Sequence, residues 1–193
     1  MISTFLPPES GFINTAPIIL FENATDPVRQ ACLQANFGSL VFDYIARRKI
    51  HGRHMNFFAL EQLPVLPPDT YDKPVPWARG SKVTLEDWIS ERVLKLTCTA
   101  EDMLPLAEAC GFTGGSFKKE YGGRLHKWDP TDRANLMAEL DAAYFYLYGI
   151  DRDDAEYILG TFSGVNEPST LFGGASTAGR ILETLDMFRM QAG

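Results

Sequence analysis

Apolar residues recur along this chain mainly at helical spacing. Between Asp26 and Lys49, the residues Cys32, Leu33, Phe37, Leu40, Val41, Tyr44 and Ile45 return every three or four positions, the interval that gathers side chains on one face of a helix. Asp26 can cap such a helix, and Pro27 suits its first position. The pattern predicts one helix over Asp26–Lys49 with Leu40, Val41 and Ile45 buried. A glycine inside it, Gly38, costs about 1 kcal/mol against alanine and points to close packing there. Two short segments, Met1–Leu6 and Pro17–Glu22, are apolar and β-branched and read as strands.

The periodicity stops at Gly52. A short Asn56–Leu60 segment follows, then Leu63–Pro68, where Pro64, Pro67 and Pro68 force an extended connector. From Thr84 onward the chain returns to helical spacing. Thr84 caps a helix to about Leu96 with Asp87 at its third position. Asp102 is the better cap for the next helix, since it places Pro105 in the first turn, and Gly111 ends that helix. Thr113–Lys127 is a glycine-rich basic loop. Asp129 and Pro130 start a helix that Gly149 ends, and Asp151 caps a short one to about Leu159. Beyond the Gly/Pro loop Ser163–Ala175, Ser176–Met190 carries Ile181, Leu182, Leu185 and Phe188 on one face. The expected fold is α+β: mainly helical, with a few short N-terminal strands and a C-terminal helical bundle. The expected division is a first subdomain at residues 1–70 and a helical one at 71–193.

Composition adds limits. The 193 residues are 45% hydrophobic and 22% charged, a globular balance in a chain long enough to fold without disulfides or metals. Cys32, Cys98 and Cys110 are widely spaced and form no C-x-x-C, so they read as reduced thiols of a cytoplasmic protein. No apolar run approaches a membrane span, and no signal peptide opens the chain. The net charge of −7 is concentrated: residues 129–193 hold 4 Lys/Arg against 11 Asp/Glu, while the first two thirds are near neutral. The last third repels a polyanion, and the near-neutral first two thirds can host a local basic patch.

Such a patch is present. Arg47, Arg48, Lys49, His51, Arg53, His54 and Asn56 cluster at a helix-to-loop corner around Gly52. Arginine forks match phosphate and guanine edges, and asparagine can pair with adenine. These seven residues are the candidate DNA-binding set. The competing reading is a solvated helix end, where cations are favoured anyway. His51 and His54 lack further ligands for a metal. Gly114–Arg124 lacks the order of a phosphate loop. Tyr144–Tyr148 reads as packing rather than a base-stacking platform, and the acids from Asp151 to Glu156 as a cap and a solvated face. No nucleophile elbow, E-x-K or D-x-K nuclease signature, F-x-G-x-G or N/D-P-P-Y/F occurs. No catalytic residue, metal or cofactor is expected.

Leu40–Arg47, then Lys49, Gly52, His54, Asn56-Phe57-Phe58 and Gln62–Pro68, resembles a stretch near the C-terminus of large restriction–modification proteins. These are the type IIG and type ISP-like enzymes that carry a DNA N6-adenine methyltransferase domain, and their phage-defence relatives. Arg92–Thr97, Asp102-Met103, Trp128-Asp129, Arg133, Ala138–Ala143, Leu147–Ile150, Glu156–Leu159 and Thr161-Phe162 extend the resemblance, in the same order, over about residues 1–162. In that family the region holds the end of the target-recognition domain and a helical tail. The resemblance therefore implies a non-catalytic specificity fragment, with double-stranded DNA and an upstream methyltransferase domain or chain as partners. His51, Arg53 and Met55 depart from the family's usual Gly, small or polar residue, and Leu, and Asn166–Gly174 replaces its charged tail. A helical protein–protein interaction module without DNA binding is the alternative.

Overall fold

The computed structural model describes residues 3–7, 10–11, 18–21, 25–50, 55–112 and 125–193. Helix α1 (Pro27–Gly38) opens at Asp26, whose carboxylate accepts from the Val28 N–H at 2.9 Å. It stops at Ser39, which is extended at φ −72° and ψ 146° and serves as the cap of α2 (Leu40–Lys49). The Ser39 hydroxyl donates to the Asn36 carbonyl at 2.8 Å and accepts from the Phe42 N–H at 3.4 Å. A serine that bonds locally offers the backbone an alternative to the helical ladder. The single helix expected over Asp26–Lys49 is therefore two. Gly38 is exposed, and an added Cβ would meet only the Gln34 amide at 3.9 Å. Val41 is fully buried, whereas Leu40 and Ile45 are only partly so.

The later helices start where the capping residues indicate. Helix α3 (Phe57–Leu60) is a single turn capped by Asn56. The Thr84 hydroxyl caps α4 (Leu85–Thr97), Asp129 caps α6 (Pro130–Leu147), Asp151 caps α7 (Arg152–Gly160) and Ser176 caps α8 (Thr177–Ala192). The exception is α5 (Leu104–Ala109). Glu101–Met103 already form a 3-10 turn that runs straight into it, so Asp102 lies inside that turn and caps nothing.

The α+β expectation is overturned: the fold is all-α. Among the described residues there are no strands, only two isolated bridges, Pro74 with Thr84 and Pro168 with Ser176. The described parts of the two expected strands, 3–6 and 18–21, carry no regular structure. A strand needs a partner ladder to hold its N–H and C=O groups. Phe5 packs against helices instead, and Ile18, Ile19 and Leu20 stay exposed.

α6 is the central element, with α8, α4 and α2 against it; α1 lies on α4, and α7 on α8. Ala31, Cys32 and Val41 share one buried cluster with Leu85, Ile89, Val93, Tyr144, Phe145, Ile181 and Leu185, so side chains before residue 70 and after residue 71 join one core. Trp77 is stacked on Phe188 at 4.2 Å and 9°, with Trp88 and Tyr146 edge-on. No helix among the described residues is long and apolar enough to cross a membrane.

Candidate nucleic-acid interface

The last turn of α2 presents Arg47, Arg48 and Lys49 in succession, all exposed. Its unsatisfied carbonyls favour cations at this end. Each cation is also held in place. Arg47 pairs with Asp43 one turn earlier at 2.8 Å, and its guanidinium lies 4.6 Å from the centre of the Phe162 ring. Arg48 donates to the Tyr44 hydroxyl at 3.3 Å, a contact that pushes its guanidinium further up from its ordinary value. Lys49 donates to the Gln62 carbonyl at 3.2 Å. An arginine has five N–H donors, so these contacts orient the forks and leave donors facing solvent. The Arg47 side chain is 62% exposed.

The Gln62 carbonyl leads to α3. The Gln62 amide donates to the Phe58 carbonyl at 3.1 Å, which ties this turn to the end of α2. Beneath it, Met55 and Leu60 pack on Phe37, Phe42, Ala46 and Leu63. Above it, Phe57 and Phe58 remain 53% and 75% exposed. The site therefore joins three cations with two solvent-facing aromatic rings.

Asn56 has a local role as well. Its Oδ1 accepts the Ala59 N–H at 2.9 Å, so it is the cap of α3. A bidentate contact with adenine uses both the oxygen and the amide of asparagine and requires that cap to open. His51, Arg53 and His54 lie outside the described residues, as does the basic loop at 113–124.

Sequence reasoning did not assign five side chains to this corner. Tyr44 stands one helical turn before Arg48, a spacing that signals contact. Phe57 and Phe58 were visible as residues, but nothing in the pattern shows that they stay uncovered. Tyr157 and Phe162 reach α2 only because α7 packs beside it, a tertiary fact with no local signature.

Other candidates dissolve into structure. Tyr144 and Phe145 are fully buried, and the Tyr144 hydroxyl donates to the Cys32 carbonyl at 2.7 Å. Burial pushes the Cys32 thiol up to about 12 and the Cys110 thiol up to about 11, which removes the thiolate a nucleophile needs. Among the described residues no group of three His, Cys, Asp or Glu side chains could hold a metal. The hollow between Trp77 and Gln191 has Arg79 as its titratable group, and Arg79 is spent on the Ala192 carbonyl at 2.9 Å. No family model, curated protein or solved structure matches the chain.

Proposed function

We propose that this chain is a DNA target-recognition segment of a restriction–modification or phage-defence system. It works with an N6-adenine methyltransferase domain or chain that supplies the chemistry. The observation that carries the proposal is the α2 corner. Arg47, Arg48 and Lys49 are consecutive, exposed and oriented, beside the exposed rings of Phe57 and Phe58. Such cations hold phosphates and fix the register on a duplex, while base edges and stacking supply discrimination. The resemblance over residues 1–162, in which this stretch corresponds to the end of a recognition domain, supports the reading.

The acidic last third limits autonomous binding. Its repulsion is felt across a Debye length of about 8 Å at physiological salt. The test is an anisotropy titration of a labelled duplex over a range of salt concentrations. Binding in the range of roughly 10⁻⁴–10⁻⁶ M, falling steeply as salt rises, is the expected result. Absence of binding at low salt sinks the proposal.

A second proposal rests on the same exposed rings. Phe57 and Phe58, uncovered and adjacent, also suit an apolar contact with a partner protein. In that case the chain is a helical interaction module and salt leaves its binding nearly unchanged.

A further inference from the structure

The arginines of the described surface differ in what holds them. Arg47 pairs with Asp43, Arg152 with Glu156 and Asp186, Arg180 with Glu183, and Arg92 with Glu139. Arg48 is held by a phenol. Its Nη2 donates to the Tyr44 hydroxyl at 3.3 Å, and its guanidinium carbon lies 5.0 Å from the centre of the Tyr44 ring. Tyr157, 62% exposed, lies on α7, which packs beside α2, and its phenol adds to the upward push on the same guanidinium. Among the described residues no carboxylate forms an ion pair with Arg48. Its charge is therefore positioned but not neutralised.

On the nucleic-acid reading of the α2 corner, we propose that Arg48, Tyr44 and Tyr157 form a clamp for one backbone phosphodiester of duplex DNA. The guanidinium fork matches two phosphate oxygens. The Tyr44 ring restricts that fork from one helical turn below. The Tyr157 hydroxyl adds a neutral donor from a second helix, so the clamp bridges α2 and α7. Because both flanking groups are uncharged, an incoming phosphate displaces no carboxylate. Asp153 opposes the clamp: it is exposed and one turn before Tyr157 on α7.

The test uses the full chain and a labelled duplex at low salt, with thermal melting to confirm that each variant folds. Arg48→Ala weakens binding about tenfold and lowers the log–log salt slope by about one unit. Tyr157→Phe weakens it about three- to tenfold without changing the slope, since only a neutral donor is lost. Asp153→Asn tightens it. Arg152→Ala, on the same helix but already ion-paired, does not weaken it. If Arg48→Ala and Tyr157→Phe bind as the parent does while Arg47→Ala and Lys49→Ala weaken binding, the clamp is wrong and the corner stands. If the parent binds no duplex, both fall.

Discussion

The buried amide of Asn36 donates from Nδ2 to the Tyr148 hydroxyl at 2.8 Å. Tyr148 in turn donates to the Pro64 carbonyl at 2.9 Å, and the Asn36 Oδ1 accepts the Leu66 N–H at 3.1 Å. This relay fastens the proline-rich connector to α1 and to the end of α6. It thereby fixes the stretch that carries α3 and its exposed phenylalanines. Asn36→Ala leaves the Leu66 N–H without its partner and should cost about 1–3 kcal/mol. Tyr148→Phe should cost less, about 0.5–1.5 kcal/mol. Urea midpoints measure both. Equal midpoints for Asn36→Ala and the parent would show that water replaces the relay.

A second prediction concerns pH. Asp141 on α6 accepts the Leu40 N–H at 2.7 Å, at the start of α2. Burial pushes its carboxyl up to about 7 from an ordinary 3.8. A carboxyl whose folded value is raised holds its proton longer in the native state, so stability falls as pH rises from 3.8 towards about 7. Asp141→Asn keeps an acceptor for Leu40 and removes the titration. The parent should lose on the order of 2 kcal/mol relative to this variant between pH 4 and 8. That is less than the full shift at about 1.4 kcal/mol per unit, because the residue keeps some access to water. Parallel stability curves for the two proteins would show that the carboxylate is well solvated.

The aromatic cluster supplies a third. Phe188 on α8 is buried and stacked on Trp77, with Trp88 edge-on at 5.8 Å. Phe188→Ala should cost about 3–5 kcal/mol and flatten the near-ultraviolet circular dichroism of the two tryptophans. Phe188→Leu should recover part of the stability but not the spectrum. A spectrum unchanged in Phe188→Ala would mean that the tryptophans are ordered without it.

Much of the fold is legible in the sequence because it is written locally. Asp26, Thr84, Asp129, Asp151 and Ser176 each accept a backbone N–H within their own first turn, so residue type and position suffice to place the helix starts. The break at Ser39 is also local, but the uninterrupted apolar period from Cys32 to Ile45 masks it. The expected strands failed because β structure depends on a partner elsewhere in the chain, and short apolar runs do not reveal whether one exists. At the candidate site the cations were legible as a charge run. The Tyr157 contact was not, since it exists only where α7 meets α2. The capping role of Asn56 was not legible because it depends on α3, a single turn too short to show a period.

A fourth prediction separates recognition from catalysis. Mixed with radiolabelled S-adenosylmethionine and duplex DNA, the pure chain should incorporate no methyl groups. Neither the cofactor loop nor the amino-group-binding motif occurs in its sequence. Reproducible incorporation would overturn the proposed division of labour with a methyltransferase.

The measurement that decides whether the α2 corner faces DNA is the salt dependence of duplex binding by Arg47→Ala/Arg48→Ala/Lys49→Ala beside the parent. Arg47 also covers Phe162, so a thermal melt must first show that the variant is folded. The expected result is loss of most binding at low salt. The log–log slope of what remains should fall by up to about three units, roughly one for each phosphate contact removed. A folded variant that binds duplex DNA with the parent's affinity and the parent's slope would contradict it, leaving Arg47, Arg48 and Lys49 as a solvated helix end.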